Sequence, residues 1–193
     1  MQSSKTAPWT GLTPPIEDAI WELPRTVHVK EKRAFLVIHS KDRDILQYPS
    51  PSSYRVDIAN LTGDCYSNVN SISLHSAIIP NCNSVLSEPY LLLKIEELSG
   101  SAFAGTNSAS QKAMALVMLD KSYDTKFINI RPDTCRTIQE RLTRPYLTTM
   151  TISLTNQYGV PFNFGTDVGA AINDNIQHTL VFEIIHTVNE INA

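Results

Sequence analysis

Apolar and polar residues alternate with a period of two along most of the chain from Arg33 onward. Successive side chains of a β-strand point to opposite faces, so this alternation indicates strands with one face in a core and the other in water. The sets expected to share a buried face are Tyr54, Val56 and Ile58; Ile72, Leu74 and Ile78; Tyr146, Met150, Ile152 and Leu154; and Leu180, Phe182 and Ile184. The pattern therefore predicts a domain built of strands.

Three other runs, residues 34–38, 90–95 and 113–119, are apolar on both faces. We expect them to be central strands that are covered on both sides. Turn signals rich in Pro, Gly, Asn and Ser separate the runs. About eight strands with no long helix between them exclude a βαβ sheet and favour an all-β antiparallel sandwich with Greek-key connections.

Three segments do not follow the alternation. Residues 99–111 are small and polar and are predicted to form a loop. Residues 134–142 suit either a helix or a strand, because Cys135, Ile138 and Leu142 have helical spacing. Residues 165–177 are predicted to be a loop or a short turn of helix.

Residues 1–32 differ from the rest and predict an extended N-terminal arm before a β-domain over residues 33–193. The arm holds four prolines and both tryptophans, Trp9 and Trp21. A short amphipathic helix is expected in it, begun by Thr13-Pro14 and ended by Pro24. Its apolar stripe is Ile16, Ala19, Ile20 and Leu23. The arm either folds back on its own domain or anchors a neighbouring subunit through buried aromatic residues.

Length and composition fit a single soluble domain with a sizeable core. A chain of 193 residues buries roughly 70% of its unfolded surface. The hydrophobic fraction of 42% and the charged fraction of 18% argue against disorder. The net charge of −3 provides no positive excess to attract nucleic acid or anionic lipid. The sequence has neither a signal-peptide core nor an apolar run long enough to cross a bilayer.

Residue types that carry chemistry are scattered along the sequence. Cys65, Cys82 and Cys135 lack a C-x-x-C spacing and are predicted to be free thiols, mostly buried, in a reducing compartment. The five histidines occur singly, and neither a Gly-rich phosphate loop nor a G-x-S-x-G elbow is found. We therefore expect no catalytic residues, metal or cofactor, and an enzyme of the cupin or nuclease kind is the least favoured class.

The densest basic segment contains Arg131, Arg136, Arg141 and Arg144. It suits a contact with nucleic acid or with an acidic neighbouring subunit. It is more typical of surface charge that pairs with nearby acids such as Asp133 and Glu140. The acidic balance of the chain disfavours nucleic acid as the partner.

Four sequence blocks in a fixed order carry a family resemblance. They are residues 44–56 (DILQYPSPSSYRV), 68–81 (NVNSISLHSAIIPN), 147–164 (LTTMTISLTNQYGVPFNF) and 179–184 (TLVFEI). The set resembles single jelly-roll capsid proteins of large icosahedral double-stranded DNA viruses, and is most similar to penton and minor capsid proteins of chlorella-type viruses. The family often has an Asp-x-x-Gly turn where this chain has Asn156-Gln157-Tyr158-Gly159, and Asn serves such a turn equally well. The resemblance does not cover the arm.

The resemblance implies a jelly roll that stands upright in a virion capsid assembled in the host cytoplasm. As a penton, the protein would form a homopentamer at each fivefold vertex. As a minor (cement) protein, it would link neighbouring capsomers from inside. Its partners would be copies of itself and the major and minor capsid proteins of the same virus.

The candidate subunit contacts are Trp9, Ile16, Ile20 and Trp21 in the arm and Arg131, Arg136, Arg141 and Arg144 in the basic segment. A carbohydrate-binding jelly-roll module is the alternative function. Such a module needs exposed aromatic residues, and Tyr48, Tyr123 and Tyr158 in predicted turns are the candidates.

Overall fold

The computed structural model describes residues 27–59, 66–67, 69–98, 107–119, 125–132, 135–137, 140–141, 146–169 and 171–191. Within these ranges the chain is almost entirely β-structure. In chain order the strands are β1 (Val27–His39), β2 (Ser53–Asp57), β3 (Tyr66–Ser67), β4 (Val69–Pro80), β5 (Tyr90–Ile95), β6 (Ala115–Met118), β7 (Phe127–Ile130), β8 (Cys135–Thr137), β9 (Glu140–Arg141), β10 (Tyr146–Leu147), β11 (Thr149–Thr155) and β12 (Thr179–Ile191). Helix is limited to short pieces such as α1 (Ser108–Gln111) and the 3-10 turns Ser40–Asp42, Val85–Ser87 and Asp174–Ile176.

The longer strands form two antiparallel sheets. The first sheet has the order β1-β12-β4-β7, with β9 also paired to β4, and the second has the order β2-β11-β5-β6-β8. Strands β3 and β10 form a separate two-stranded ribbon. The predicted all-β antiparallel sandwich is confirmed, and the described strands of four or more residues are eight.

Those eight longer strands pair from the outside inward along the chain. The first pairs with the last (β1 with β12), and the second pairs with the seventh (β2 with β11). The third pairs with the sixth (β4 with β7), and the fourth pairs with the fifth (β5 with β6). Two of these four pairs, β1 with β12 and β4 with β7, lie in the first sheet. The other two pairs lie in the second sheet.

One hydrophobic core lies between the sheets, and both sheets contribute to it. Three of the predicted buried faces are confirmed, because Tyr54, Val56 and Ile58, then Met150, Ile152 and Leu154, and Leu180, Phe182 and Ile184 are all buried. The side chain of Tyr146 lies outside the described part. Each fully buried side chain of this size contributes roughly 1.5–3 kcal/mol through the hydrophobic effect.

The predicted shared face of Ile72, Leu74 and Ile78 is wrong at Ile78. Ile72 and Leu74 are buried, but Ile78 is 40% exposed and its neighbours Ala77 and Ile79 are buried instead. The cause is a β-bulge, since Phe182 pairs with Leu74 while Val181 pairs with Ser76. His75 is the extra residue, and one extra residue moves every following side chain to the opposite face.

Strand β1 begins before the predicted domain boundary. Its backbone pairs with β12 from Val27↔Ile191 onward, so residues 27–32 belong to the first sheet rather than to an arm. The four consecutive charged residues 30–33 conceal the alternation in the sequence. Residues 1–26 lie outside the described part, so the arm and its helix stay predictions.

The runs that are apolar on both faces have three different outcomes. In β5, Leu91, Leu92 and Leu93 are all buried, so coverage on both sides is confirmed. In residues 113–119, Met118 is 40% exposed while most of the others are buried. For residues 34–38 the prediction is wrong, because β1 ends its sheet among the described strands and Phe35 and Val37 on its outer face are exposed.

The irregular segments partly follow the sequence prediction. Residues 108–111 form the single helical turn α1 rather than a loop, because the Asn107 side chain accepts a hydrogen bond of 2.8 Å from the Ala109 N–H and caps it. Residues 99–106 lie outside the described part. For the described residues of the segment 134–142, the open alternative is decided in favour of strand, since 135–137 form β8 and 140–141 form β9. Residues 165–177 are a loop with the 3-10 turn Asp174–Ile176, as predicted.

A buried ion pair that the sequence did not predict closes one end of the sandwich. The side chains of Arg43 and Asp167 are fully buried and are bonded directly to each other. All five N–H groups of Arg43 are used, and their acceptors are the backbone oxygens of Ser40, Tyr48 and Pro49, the Gln177 side-chain oxygen and the Asp167 carboxylate. This complete pairing is what allows a charged guanidinium to be buried.

The same network extends to a buried histidine. The Ser40 hydroxyl accepts from the His178 backbone N–H at 2.9 Å, and the His178 Nε2 lies 2.9 Å from the Tyr54 hydroxyl. Burial, and next the positive charge of Arg43, lowers the pKa of His178 from 6.5 to about 3. Burial also raises the pKa of Tyr54 above its usual range. Both side chains are therefore neutral at physiological pH.

Replacement of Arg43 by alanine should strongly destabilise the fold, because it leaves the Asp167 carboxylate buried without its cation. We expect the free energy of unfolding in urea to fall by about 3 to 5 kcal/mol. The matched control is Arg55→Ala, which removes an exposed arginine of β2 and should change that free energy by no more than ~0.5 kcal/mol. Equal effects of the two substitutions would contradict the role given to the buried pair.

Acid should destabilise the fold through His178. The unfolded chain takes up a proton on this residue near pH 6.5, whereas the folded protein does so only near pH 3. Stability is therefore lost as the pH falls below 6.5, by about 1.4 kcal/mol per pH unit from this residue alone. Urea unfolding between pH 7 and pH 4.5 should show a shallower dependence in His178→Gln than in the wild type. An identical pH dependence in the two proteins would contradict this assignment.

Candidate interaction surface

The predicted arm anchors cannot be located in the fold. Trp9, Ile16, Ile20 and Trp21 all lie outside the described residues. Their proposed contacts therefore remain predictions from the sequence.

The four arginines of the basic segment do not lie on one strand. Arg131 follows β7 directly and is exposed. The backbone of Arg136 is in β8 and pairs with Leu116 in the second sheet, whereas Arg141 is in β9 and pairs with Ser71 in the first sheet. The side chains of Arg136 and Arg141 and the whole of Arg144 are outside the described part. The segment is thus divided between the two sheets instead of forming one continuous strand surface.

A different surface is exposed and apolar. On the outer face of the first sheet, Phe35 is 56% exposed, Val37 is 48% exposed and Ile78 is 40% exposed. Val181, which is partly buried, lies between them, because it pairs with Val37 on one side and with Ser76 on the other. We call Phe35, Val37, Ile78 and Val181 the outer-face patch.

The β-bulge in β4 helps to build this patch. It turns His75 and Ser76 outward together, and the His75 ring meets the Phe35 ring edge to face with centroids 5.0 Å apart. The same change of register brings Ile78 to the outer face. Without the bulge, Ile78 would point into the core and the patch would end at β12.

The outer-face patch adjoins a sheet edge that has no further strand among the described residues. Strand β1 extends over 13 residues and ends the described order of the first sheet, with β12 as its partner there. Its first half carries exposed charged residues, including Arg33, which pairs with Glu183 at 3.2 Å. Charges of this kind protect an edge from unwanted pairing. Its second half carries Phe35 and Val37 and has no such protection.

One sequence feature signals this exposed surface. The run of residues 34–38 is apolar throughout, which by itself predicts coverage on both sides. The charged residues 30–33 directly before it are typical of an edge strand. An edge strand next to a charged segment is more exposed than a central one, and this is what the structure shows.

The described cysteine lies in an environment that disfavours reactivity, and the described residues form no metal-binding cluster. The Cys82 thiol is partly buried, contacts the Phe164 carbonyl oxygen at 3.4 Å and has its pKa raised by burial. A raised pKa disfavours the thiolate that a nucleophile needs. Cys65 and the Cys135 side chain lie outside the described part. Across the described ranges, His, Cys, Asp and Glu side chains form no group of three or more that could hold a metal.

The tyrosines proposed for sugar binding differ in how far their side chains are exposed. Tyr48 is partly buried and packs against the core. Tyr158 is 72% exposed at the tip of the turn between β11 and residue 161. In that turn the Asn156 side chain accepts from the backbone N–H groups of Tyr158 and Val160, and Gly159 has a φ of 83°. The predicted Asn-x-x-Gly turn is confirmed, whereas Tyr123 is outside the described part.

An exposed apolar patch of this kind is typical of a protein–protein contact. If copies of the chain meet through this patch, Phe35→Ser combined with Val37→Thr should weaken their association. The dissociation constant measured by sedimentation velocity should rise by about tenfold or more, since two apolar contacts are removed. Stability in urea should change little, because both side chains are already exposed.

The matched control combines Leu46→Ser with Val168→Thr, which removes two apolar residues that are 78% and 81% exposed outside the patch. The control protein should associate as the wild type does. A double variant at Phe35 and Val37 that also associates normally would exclude the patch as a contact between copies.

No protein-family model matches the chain, and no curated protein matches it either. Among the described residues, no helix is both long and apolar enough to cross a membrane. The function is therefore inferred from the residues and geometry of the chain itself.

Proposed function

We propose that the chain is a structural capsid protein, a single jelly roll that forms a pentameric ring at the fivefold vertices of an icosahedral double-stranded DNA virus. The proposal combines the family resemblance of the four sequence blocks with two structural observations. One is the nested pairing of the eight longer strands, and the other is the outer-face patch at β1, the end strand of the described first sheet.

The nested strand pairing carries the proposal. A long antiparallel hairpin that rolls up into two sheets pairs its first strand with its last, its second with its seventh, and so on inward. That is the pairing of β1 with β12, β2 with β11, β4 with β7 and β5 with β6. Jelly rolls of eight strands are common in viral capsid and lectin domains.

The outer-face patch supports assembly from copies of the same chain. A closed ring uses heterologous contacts, in which one patch of each subunit meets a different patch of the next. Phe35 and Val37 provide an apolar centre for such a contact, and the charged residues of the first half of β1 provide a polar rim. A minor capsid protein that links capsomers would use the same surface against a different neighbour.

A carbohydrate-binding module is the second candidate, and the exposure of Tyr158 favours it. An aromatic ring that is 72% exposed at the tip of a turn is suited to stack on a sugar. The two functions are compatible, because a protein at a capsid vertex also faces the host surface.

The decisive experiment measures the assembly state and then the place in the particle. Light scattering of the purified protein should give five times the chain mass of 21.5 kDa. Cryo-electron microscopy of virus particles should show a ring of five copies at the vertices. Density between capsomers instead would support the cement role, and a persistent monomer that is absent from particles would overturn the capsid proposal.

Deletion of residues 1–26 tests the arm separately. Because β1 begins at Val27, the truncated chain keeps every described strand of the first sheet. We expect its urea unfolding to remain cooperative, and its incorporation into particles to fall by about tenfold or more through loss of the aromatic anchors. Normal incorporation of the truncated protein would show that the arm is not an assembly element.

A further inference from the structure

A cleft of about 660 Å³ lies on the outer face of the second sheet. Its floor comes from β5 and β11, where Lys94 pairs with Ser153 in register. Its walls come from the segment that joins α1 to β6 and from the turn at Gly159, and Glu96 also lines it. A volume of this size is typical of sites that bind small molecules.

The walls are held together by specific contacts. The Asn107 side chain caps α1 through the Ala109 N–H and also donates to the backbone oxygen of Gln157 in the turn. A Cβ added to Gly159 would lie only 2.7 Å from the Ala109 Cβ, so the close approach of helix and turn requires glycine at this position. The cleft is therefore a built feature of the fold.

Two lysines line this cleft without a salt bridge to any described carboxylate. They are Lys94 and Lys112. Burial, and next the positive charge of Lys112, lowers the pKa of Lys94. The ammonium group of Lys94 lies 3.4 Å from the position that a Cβ on Gly159 would take, so the glycine also leaves room for it. An anion between the two lysines would relieve their repulsion.

A buried hydroxyl on the floor also lacks a partner. Thr155 lines the cleft and is 2% exposed, and its Oγ1 has no hydrogen-bond partner in the described structure. Buried side-chain oxygens are nearly always paired in folded proteins, so this hydroxyl keeps an unused donor that a ligand oxygen could accept from. The exposed carboxylate of Glu96 adds an acceptor on the same cleft.

We propose that this cleft binds a small ligand that carries an oxyanion on a hydroxylated carbon frame, such as an acidic sugar or a sugar phosphate. The oxyanion lies between Lys94 and Lys112, and the Thr155 hydroxyl donates to a ligand oxygen. Glu96 accepts from a ligand hydroxyl and discriminates against ligands that carry only negative charge. This site is separate from the proposed capsid contacts, so its test does not depend on the assembly state of the protein.

Isothermal titration calorimetry at low salt tests the site with D-glucuronate, D-glucose 6-phosphate and neutral D-glucose. We expect at least one charged probe to bind about tenfold or more tightly than D-glucose, because charge-assisted hydrogen bonds are the stronger ones. Lys94→Gln and Lys112→Gln should each weaken that binding by about tenfold, and Thr155→Val by several-fold. Lys126→Gln is the matched control, since it removes an exposed lysine next to β7 in the other sheet.

The choice of probe identifies the ligand chemistry. Binding of D-glucuronate alone indicates a carboxylate ligand, binding of D-glucose 6-phosphate alone indicates a phosphate ligand, and binding of both supports a general oxyanion site. Binding of neither charged probe, or equal binding by Lys112→Gln and the wild type, overturns the proposal. Lys112 is exposed, so this variant keeps the test valid even where Lys94→Gln fails to fold.

Discussion

The buried contact between Arg43 and Asp167 fixes how the two sheets meet. Arg43 lies in the connection from β1 to β2, and Asp167 lies in the connection from β11 to β12. Both connections pass from one sheet to the other at the same end of the sandwich. Because Arg43 uses every donor it has and Asp167 also accepts from the Asn173 backbone N–H, the two crossings are tied together. The pairs β1·β12 and β2·β11 both begin at this junction.

The pairing register of β1 with β12, which starts beside the Arg43–Asp167 contact, determines which residues form the outer-face patch. His39 pairs with Thr179 beside it, and the pairing then continues without a shift along β1 and β12. On the other side of β12 the bulge at His75 interrupts the register and reverses the faces of β4. Leu36 and Ile38 therefore reach the core, while Phe35, Val37 and Ile78 stay outside it. The end strand of the described sheet and one extra residue in β4 together create an apolar surface on the outer face of the first sheet.

The two surfaces proposed for function lie on opposite faces of the sandwich. The outer-face patch belongs to the first sheet, and the cleft with Lys94 and Lys112 belongs to the second. Contacts between subunits through the first sheet would leave the cleft open to solvent. A subunit that assembles through one face and binds a small anionic ligand through the other is consistent with both proposals, and each can fail without the other.

The sequence by itself determined the all-β class, the buried faces of β2, β11 and β12 and the turn at Asn156, because each depends on side-chain alternation or turn chemistry between near neighbours. Only the tertiary structure decided that β1 pairs with β12 from Val27 onward, that His75 forms a bulge, and that Lys94, Lys112 and Thr155 line one cleft. Arg43 and Asp167 are 124 residues apart. Nothing local distinguishes a charged residue that will be buried with a partner from one that stays in water. Contacts of this range arise only when the strands have paired, so a pattern read over a few residues does not contain them.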